Sequence, residues 1–153
     1  MAIYLVQHAL SLPKELDPRK GISPEGRKAA ETIAGVAKTY GVHVSQIRHS
    51  GKLRAMETAA IFDQALQPSG GVTDMPGLAP LDDVTLIAEV LDPASNIMLV
   101  GHLPFMERLA AYLVTGTATR PVFRFQNAGI VCLDHHADFD SWVITWSLSP
   151  RIG

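Results

Sequence analysis

The chain holds a single cysteine, Cys132, in 153 residues, so no internal disulfide framework can form. Such cysteine usage suits a reducing compartment, and the cytoplasm is the expected location. No apolar run approaches membrane-spanning length. The apolar stretch near Met1 is too short for a signal-peptide core and ends at polar residues. Charge of one sign is also missing. Thirteen Lys and Arg stand against fifteen Asp and Glu, a formal net charge of −2. That balance gives no global field for nucleic acid or a membrane surface, so neither is an expected partner. Any anion site must be assembled from a few local cations. Repeats and low-complexity tracts are absent too. What remains is 47% hydrophobic and 18% charged residues, the composition of a globular protein. The length suits one domain over residues 1–153 with a substantial core.

Two stretches stand out against this background. Ala2-Ile3-Tyr4-Leu5-Val6 runs straight into Gln7-His8, and Asn96-Ile97-Met98-Leu99-Val100 runs straight into Gly101-His102. Continuous apolar runs of this length read as strands buried on both faces, the kind found in parallel sheets. Open parallel sheets bind ligands just past the carboxyl ends of their strands. Both histidines therefore lie where this architecture puts its chemistry, and the two are expected to face each other.

The rest of the chain alternates. Ser11 to Gly21 carries Pro13, Pro18 and Gly21 and reads as a loop beside the first strand's end, of a length that often covers a site. Ser23-Pro24-Glu25 is a helix start with Ser23 as N-cap, and Ala29, Ile33, Val36 and Tyr40 follow at helical spacing up to Gly41. A short strand over Gln46–His49 precedes a helix from about Lys52 to Leu66. Val72–Met75 is a weak strand, and Leu78 to Asp83 a loop ending in a helix cap. Val84, Ile87, Ala88 and Leu91 share a helical face, as do Met106, Leu109, Ala110 and Leu113. Gly129–Asp134 and Trp142–Ser147 are strand-like, joined by the polar link His135–Asp140 as in a hairpin. The order β-α-β-α-β-α-β-α-β-β predicts an α/β fold. Its central sheet is mostly parallel, with helices on both faces and a C-terminal antiparallel hairpin.

Three segments carry candidate chemistry. His8 ends the first strand. His102 opens a helix, where unpaired N–H groups favour anions, and Gly101 lets a ligand come close to the backbone. The turn His49-Ser50-Gly51-Lys52-Leu53-Arg54 places two cations at a helix N-terminus, against the helix dipole. An anion bound beside them explains that placement, and Arg54 can fork two N–H groups onto phosphate oxygens. His49 lies near this site, and His43 reads as surface. Glu57 reads as a helix-surface residue or a partner for Arg54, and Trp142 and Trp146 as core or sheet packing. Asp134, His135, His136 and Asp138 are not a metal cluster on this reading, because adjacent histidines on a strand point to opposite faces. No metal is expected.

In this order the segments resemble the histidine phosphatase superfamily, most closely its short SixA-like phosphohistidine phosphatase branch. The family's first strand ends Arg-His-Gly or Arg-His-Ala; here it is Gln7-His8-Ala9. An Arg-Pro-Leu-Thr-like segment is matched by Lys20-Gly21-Ile22-Ser23, followed by Gly26. The family's Ser-Pro-x-x-Arg-Ala-x-Gln-Thr is matched by Ser50-Gly51-Lys52-Leu53-Arg54-Ala55-Met56-Glu57-Thr58. Its second Gly-His is matched by Gly101-His102-Leu103-Pro104. The resemblance implies a phosphoglycerate mutase-like fold and a cytoplasmic hydrolase without cofactor. Its substrate would be phosphohistidine in proteins, with a part in signal transduction. His8 would be the nucleophile, and Arg54 and His102 would grip the equatorial oxygens, so cationic side chains fill the role of a metal.

Two departures shape the expectation. Gln7 replaces the family's strand-end arginine and brings no charge, a loss of ~3 kcal/mol of transition-state stabilisation by analogy with oxyanion-hole deletions. Lys52, or Lys20 from the covering loop, would restore a charge to the phosphate-binding set of Gln7, Arg54 and His102. The family's phosphomonoesterases use a Glu or Asp after the third strand as general acid. Here only Asp82 and Asp83 stand there, and N-capping the next helix is their more ordinary role. A phosphoramidate tolerates a missing acid. Three functions stay open: a phosphohistidine phosphatase, a phosphate- or phosphopeptide-binding module of low turnover, and a small phosphomonoesterase acting on small phosphorylated substrates.

Overall fold

The computed structural model describes residues 1–152. Its elements run β1 (Ile3–Gln7), α1 (Pro24–Thr39), β2 (Gln46–His49), α2 (Leu53–Leu66), β3 (Val72–Asp74), α3 (Val84–Val90), β4 (Ile97–Gly101), α4 (Phe105–Thr115), β5 (Ile130–His136) and β6 (Ser141–Leu148). The six strands form one sheet in the order β3-β2-β4-β1-β5-β6. β3, β2, β4 and β1 pair in parallel. β5 and β6 pair antiparallel at the other side, as a C-terminal hairpin.

The sheet is covered on both faces because β1 up to Val6 and β4 are apolar and buried throughout. Alternate side chains of a strand point to opposite faces. Tyr4 and Val6 pack with Met98 and Val100 against Ala30, Ile33 and Ala34 of α1 and Ala59 and Phe62 of α2. Ile3 and Leu5 pack with Leu99 against Ile87 of α3 and Phe105 and Leu109 of α4. The chain leaves β1 towards β2 over one face and leaves β4 towards β5 over the other. β1 and β4 are neighbours, so the connections diverge between them, and the crevice opens past their carboxyl ends.

Local chemistry sets the element boundaries. Ser23 caps α1 through a bond from Gly26 N–H to its Oγ at 3.0 Å, with Pro24 in the first turn. α2 begins one residue later than its pattern suggests, at Leu53, with Lys52 in the extended N-cap position. β5 continues through His136, so His135 and His136 are strand residues and the connection shrinks to a 3₁₀ turn at Ala137–Phe139. The polar composition of this stretch hid the strand. The hairpin register, with His135 opposite Trp142 and His136 opposite Ser141, holds it extended.

Candidate active site

Parallel pairing of β1 with β4 puts Gln7 opposite Gly101, and His8 N–H donates to the Gly101 carbonyl at 2.9 Å. The rings of His8 and His102 lie side by side, centroids 5.1 Å apart and planes tilted by 52°.

His8 is held from several directions. Its Nδ1–H donates to the Ala9 carbonyl at 2.7 Å. A carbonyl only accepts, so Nδ1 carries the proton and the neutral ring presents its lone pair at Nε2. Asn127 Nδ2 donates to the His8 carbonyl at 2.9 Å. Ala9 N–H donates to Thr58 Oγ1 at 2.9 Å, and that hydroxyl donates to the Arg54 carbonyl at 2.7 Å. Burial lowers the His8 pKa to about 4; the Ala9 bond opposes that shift, and the charges of Arg54 and Lys20 add to it.

His102 is only 1% exposed. Its Nε2 lies 2.6 Å from Ser50 Oγ, which also accepts from Lys52 N–H at 3.3 Å. Its Nδ1 is buried with no partner among the described residues. Burial, then His8, Arg54, Lys52 and Lys20, lower its pKa to about 3. Both imidazoles are therefore neutral near pH 7.

The charges acting on the two rings are Arg54, Lys52 and Lys20, with no carboxylate among them. Arg54 stands in the first turn of α2, where no acidic residue is found, and burial lowers its pKa from the usual arginine range. Lys52 is exposed and Lys20 half-buried on the covering loop. Among the described residues the ion pairs are Arg27 with Glu57 and His135 with Asp140, so these three cations have none. Gln7 adds no charge, and its Oε1 is buried without a partner. Lys52 and Arg54 at the start of α2, with Lys20 from the loop, act on two neutral imidazoles, a setting that suits an anion.

Other expected residues lie elsewhere. Glu57 does not partner Arg54: its Oε1 accepts from Ile22 N–H at 3.0 Å and its Oε2 pairs with Arg27 Nη2 at 3.4 Å. Reach explains the change, because the covering loop folds back onto α2 and offers Glu57 a backbone donor. Asp83 accepts from Thr85 N–H at 2.9 Å and caps α3; this bond and one from the Thr85 hydroxyl hold its carboxyl below the usual range. Asp82 accepts from Ala79 N–H at 2.9 Å within its own loop. His49 is buried, and its Nδ1 accepts from Gly51 N–H at 3.0 Å, tightening the turn that delivers Arg54. His43 offers its carbonyl to the Tyr4 hydroxyl at 3.1 Å. Trp146 tilts against Tyr4, and Trp142 packs beside α4 and against His135. Among the described residues no three His, Cys, Asp or Glu are grouped to hold a metal ion. No helix among them is long and apolar enough to cross a membrane.

Three positioning residues escaped the sequence reading. Ser50 and Thr58 stood inside a recognised motif, yet nothing local linked Ser50 to His102. Asn127 lies 119 residues from His8 and carries no local signal; only the bridge between Gln7 and Asn127 brings it there. A cavity of about 750 Å³ lined by Tyr4, Tyr40 and Trp146, among others, is apolar and contains neither site histidine. The two histidines lie outside it, just past the ends of β1 and β4.

No family model matches the sequence, and no curated protein matches it. Solved structures do share its fold. The protein histidine phosphatase SixA complexed with tungstate superposes with a TM-score of 0.84 at 22% identity, covering 98% of this chain and 97% of that one. A protein assigned as phosphohistidine phosphatase SixA in Agrobacterium tumefaciens gives 0.75 at 23% identity, with 97% of each chain covered. One assigned as an alpha-ribazole-5'-P phosphatase from Escherichia coli gives 0.76 at 16%, covering 100% and 99%. At these identities the likeness is one of fold. The fold is the phosphoglycerate mutase-like one, shared with histidine phosphatases over nearly the whole chain.

Proposed function

We propose that this chain is a member of the histidine phosphatase superfamily that removes phosphate from phosphohistidine in proteins, with His8 as nucleophile. The observation that carries the reading is the tautomer of His8 in its setting. The Ala9 carbonyl fixes the proton on Nδ1, leaving the Nε2 lone pair beside His102 and three cations without carboxylate partners among the described residues. The protein solved with tungstate, a tetrahedral oxyanion, has the same fold and is called a protein histidine phosphatase.

In this mechanism the phosphoryl group sits between His8 and the first turn of α2. The Nε2 lone pair attacks phosphorus in line, a P–N bond forms to His8, and the P–N bond to the substrate imidazole breaks. A leaving imidazole protonated at its other nitrogen departs neutral, so no general acid is needed; Asp83 caps α3 and Asp82 accepts from Ala79 N–H within its own loop. Arg54, Lys20, Lys52 and His102 hold the equatorial oxygens while charge builds on them, and Gln7 contributes at most a neutral donor. Water then attacks the phosphoenzyme, releasing inorganic phosphate and restoring neutral His8. A lone cysteine that is buried, its thiol pushed up in pKa by burial, fits a cytoplasmic setting, and turnover of protein phosphohistidine fits signal transduction.

The test is to incubate the protein with a phosphoramidate donor and look for acid-labile phosphate on it. Label on the wild type and none on His8→Ala is expected. A wild type that never labels, or a His8→Ala variant that labels equally, overturns the reading. One observation favours a second function, a phosphate-binding module of low turnover: the strand-end residue beside the nucleophile is an uncharged glutamine. That module binds phosphate yet hydrolyses at background rate. A small phosphomonoesterase, the third reading, requires a strong loss of sugar-phosphate turnover when Asp82 or Asp83 is removed.

A further inference from the structure

The loop that follows His8 is closed upon itself. Ser11 bridges to Ile22, Leu12 N–H donates to the Gly21 carbonyl at 2.8 Å, and Gly21 N–H donates to Asp17 Oδ2 at 2.9 Å. Its base is fixed to α1, where Ser23 N–H donates to the Leu10 carbonyl at 2.8 Å. A Cβ on Gly26 would meet that carbonyl oxygen at 2.2 Å, so only glycine allows the approach. Against α2 the loop is held differently. Ala9 N–H, just after His8, donates to Thr58 Oγ1 of that helix, and among the described residues the hydrogen bond from residues 11–22 to it is the one from Ile22 N–H to Glu57 Oε1. Glu57 is braced in turn by Arg27 of α1. Gly21 is wedged there: a Cβ on it would lie 2.9 Å from Glu57 Oε1 and 3.4 Å from Leu53 Cδ2. The next residue back is Lys20, in the left-handed region at φ 52°. Its place thus follows the contact between Gly21 and the α2 turn that carries Arg54.

We propose that Glu57 is a positioning residue: its carboxylate clasps the 11–22 loop onto the first turn of α2 and so sets Lys20 over the anion site, supplying the cation that position 7 lacks. The inference rests on the anion site of the proposed function, but not on turnover. Clasp and plain electrostatics predict opposite signs. Removing a carboxylate beside an anion site strengthens anion binding if the charge acts only through space. If the carboxylate holds Lys20 in place, its removal weakens binding.

The experiment is titration of the full chain with inorganic phosphate, read by calorimetry, for the wild type, Lys20→Met, Glu57→Ala, Glu57→Gln and the double variant Lys20→Met/Glu57→Ala. Loss of a charge-assisted contact predicts a Kd raised roughly tenfold or more by Lys20→Met. A similar rise is expected for Glu57→Ala, and the double variant should be no weaker than either single one. Glu57→Gln keeps an oxygen for Ile22 N–H and loses only an exposed ion pair, so binding should return to within about twofold of the wild type. Should Glu57→Ala fail to fold, judged by its melting curve, Gly21→Ala displaces the same carboxylate and is expected to weaken binding too. Unchanged or tighter phosphate binding in Glu57→Ala overturns the clasp, as do effects of the two single variants that simply add. Phosphate binding separates this outcome from the proposed activity: a chain that binds through the clasp but never labels at His8 keeps the clasp and loses the phosphatase.

Discussion

Ser50 Oγ lies 2.6 Å from Nε2 of His102, joining the turn before α2 to the end of β4 across 52 residues. The bond fixes one nitrogen of an imidazole that is 1% exposed and whose other nitrogen has no partner among the described residues. Ser50→Ala leaves both nitrogens unpaired. A loss of about 1–3 kcal/mol in stability is expected, the usual cost of an orphaned buried polar group. kcat/KM should fall with it, more than for Ser50→Thr, which keeps the hydroxyl. Thermal denaturation and phosphoramidate kinetics measure the two effects, and an alanine variant with wild-type Tm would show that the bond contributes nothing.

The lowered pKa values place the acid limb of activity well below the ordinary imidazole range. As the proposed nucleophile His8 must be neutral to attack, and burial lowers its pKa to about 4. After correction for substrate ionisation, kcat/KM should stay level down to about pH 4 and fall below it. A limb near the unperturbed histidine value of about 6.5 would mean that the ring is not buried as described.

Stability follows the same two groups. Both histidines are depressed in the folded chain, to about 4 and about 3. The unfolded chain therefore binds more protons as pH falls below about 6.5. Their contribution is complete above that value and is lost as pH falls towards the folded pKa values. The slope reaches up to about 1.4 kcal/mol per pH unit for each group. Urea denaturation between pH 7 and pH 4 measures it, and replacing His102 by Gln should flatten it.

Gln7→Arg tests the most conspicuous departure at the site. Gln7 Oε1 is buried without a partner, so the substitution breaks no existing side-chain bond at that atom. The expected result is a gain in kcat/KM, bounded by the ~3 kcal/mol that one transition-state donor supplies elsewhere. The gain should be larger in a Lys20→Met background, where Lys52 alone is left to stand in for the missing charge. A loss in the wild-type background would mean that the site is built around a neutral carboxamide.

Asp82→Ala and Asp83→Ala should leave phosphoramidate turnover within about twofold of the wild type, since a phosphoramidate needs no acid. Asp83→Ala should lower Tm slightly by removing the α3 cap. A large loss of turnover in either variant would restore a carboxylic acid to the mechanism.

Much of this was legible in the chain. The apolar runs ending at His8 and His102 announced a doubly covered parallel sheet, because only strands buried on both faces dispense with polar alternation. Ser23-Pro24 announced the start of α1, and Lys52 and Arg54 stood out by sitting against a helix dipole. These signals are local: each depends on residues within a few positions of one another. What tertiary structure alone decided is which distant groups meet. Parallel pairing of β1 with β4 put His8 beside His102, although 94 residues separate them in the chain. The same packing gave Ser50 to His102 and Asn127 to His8, and turned Glu57 from Arg54 to the covering loop. Composition fixes what a side chain is able to do, while its partners depend on sheet order and loop closure, which are properties of the whole chain.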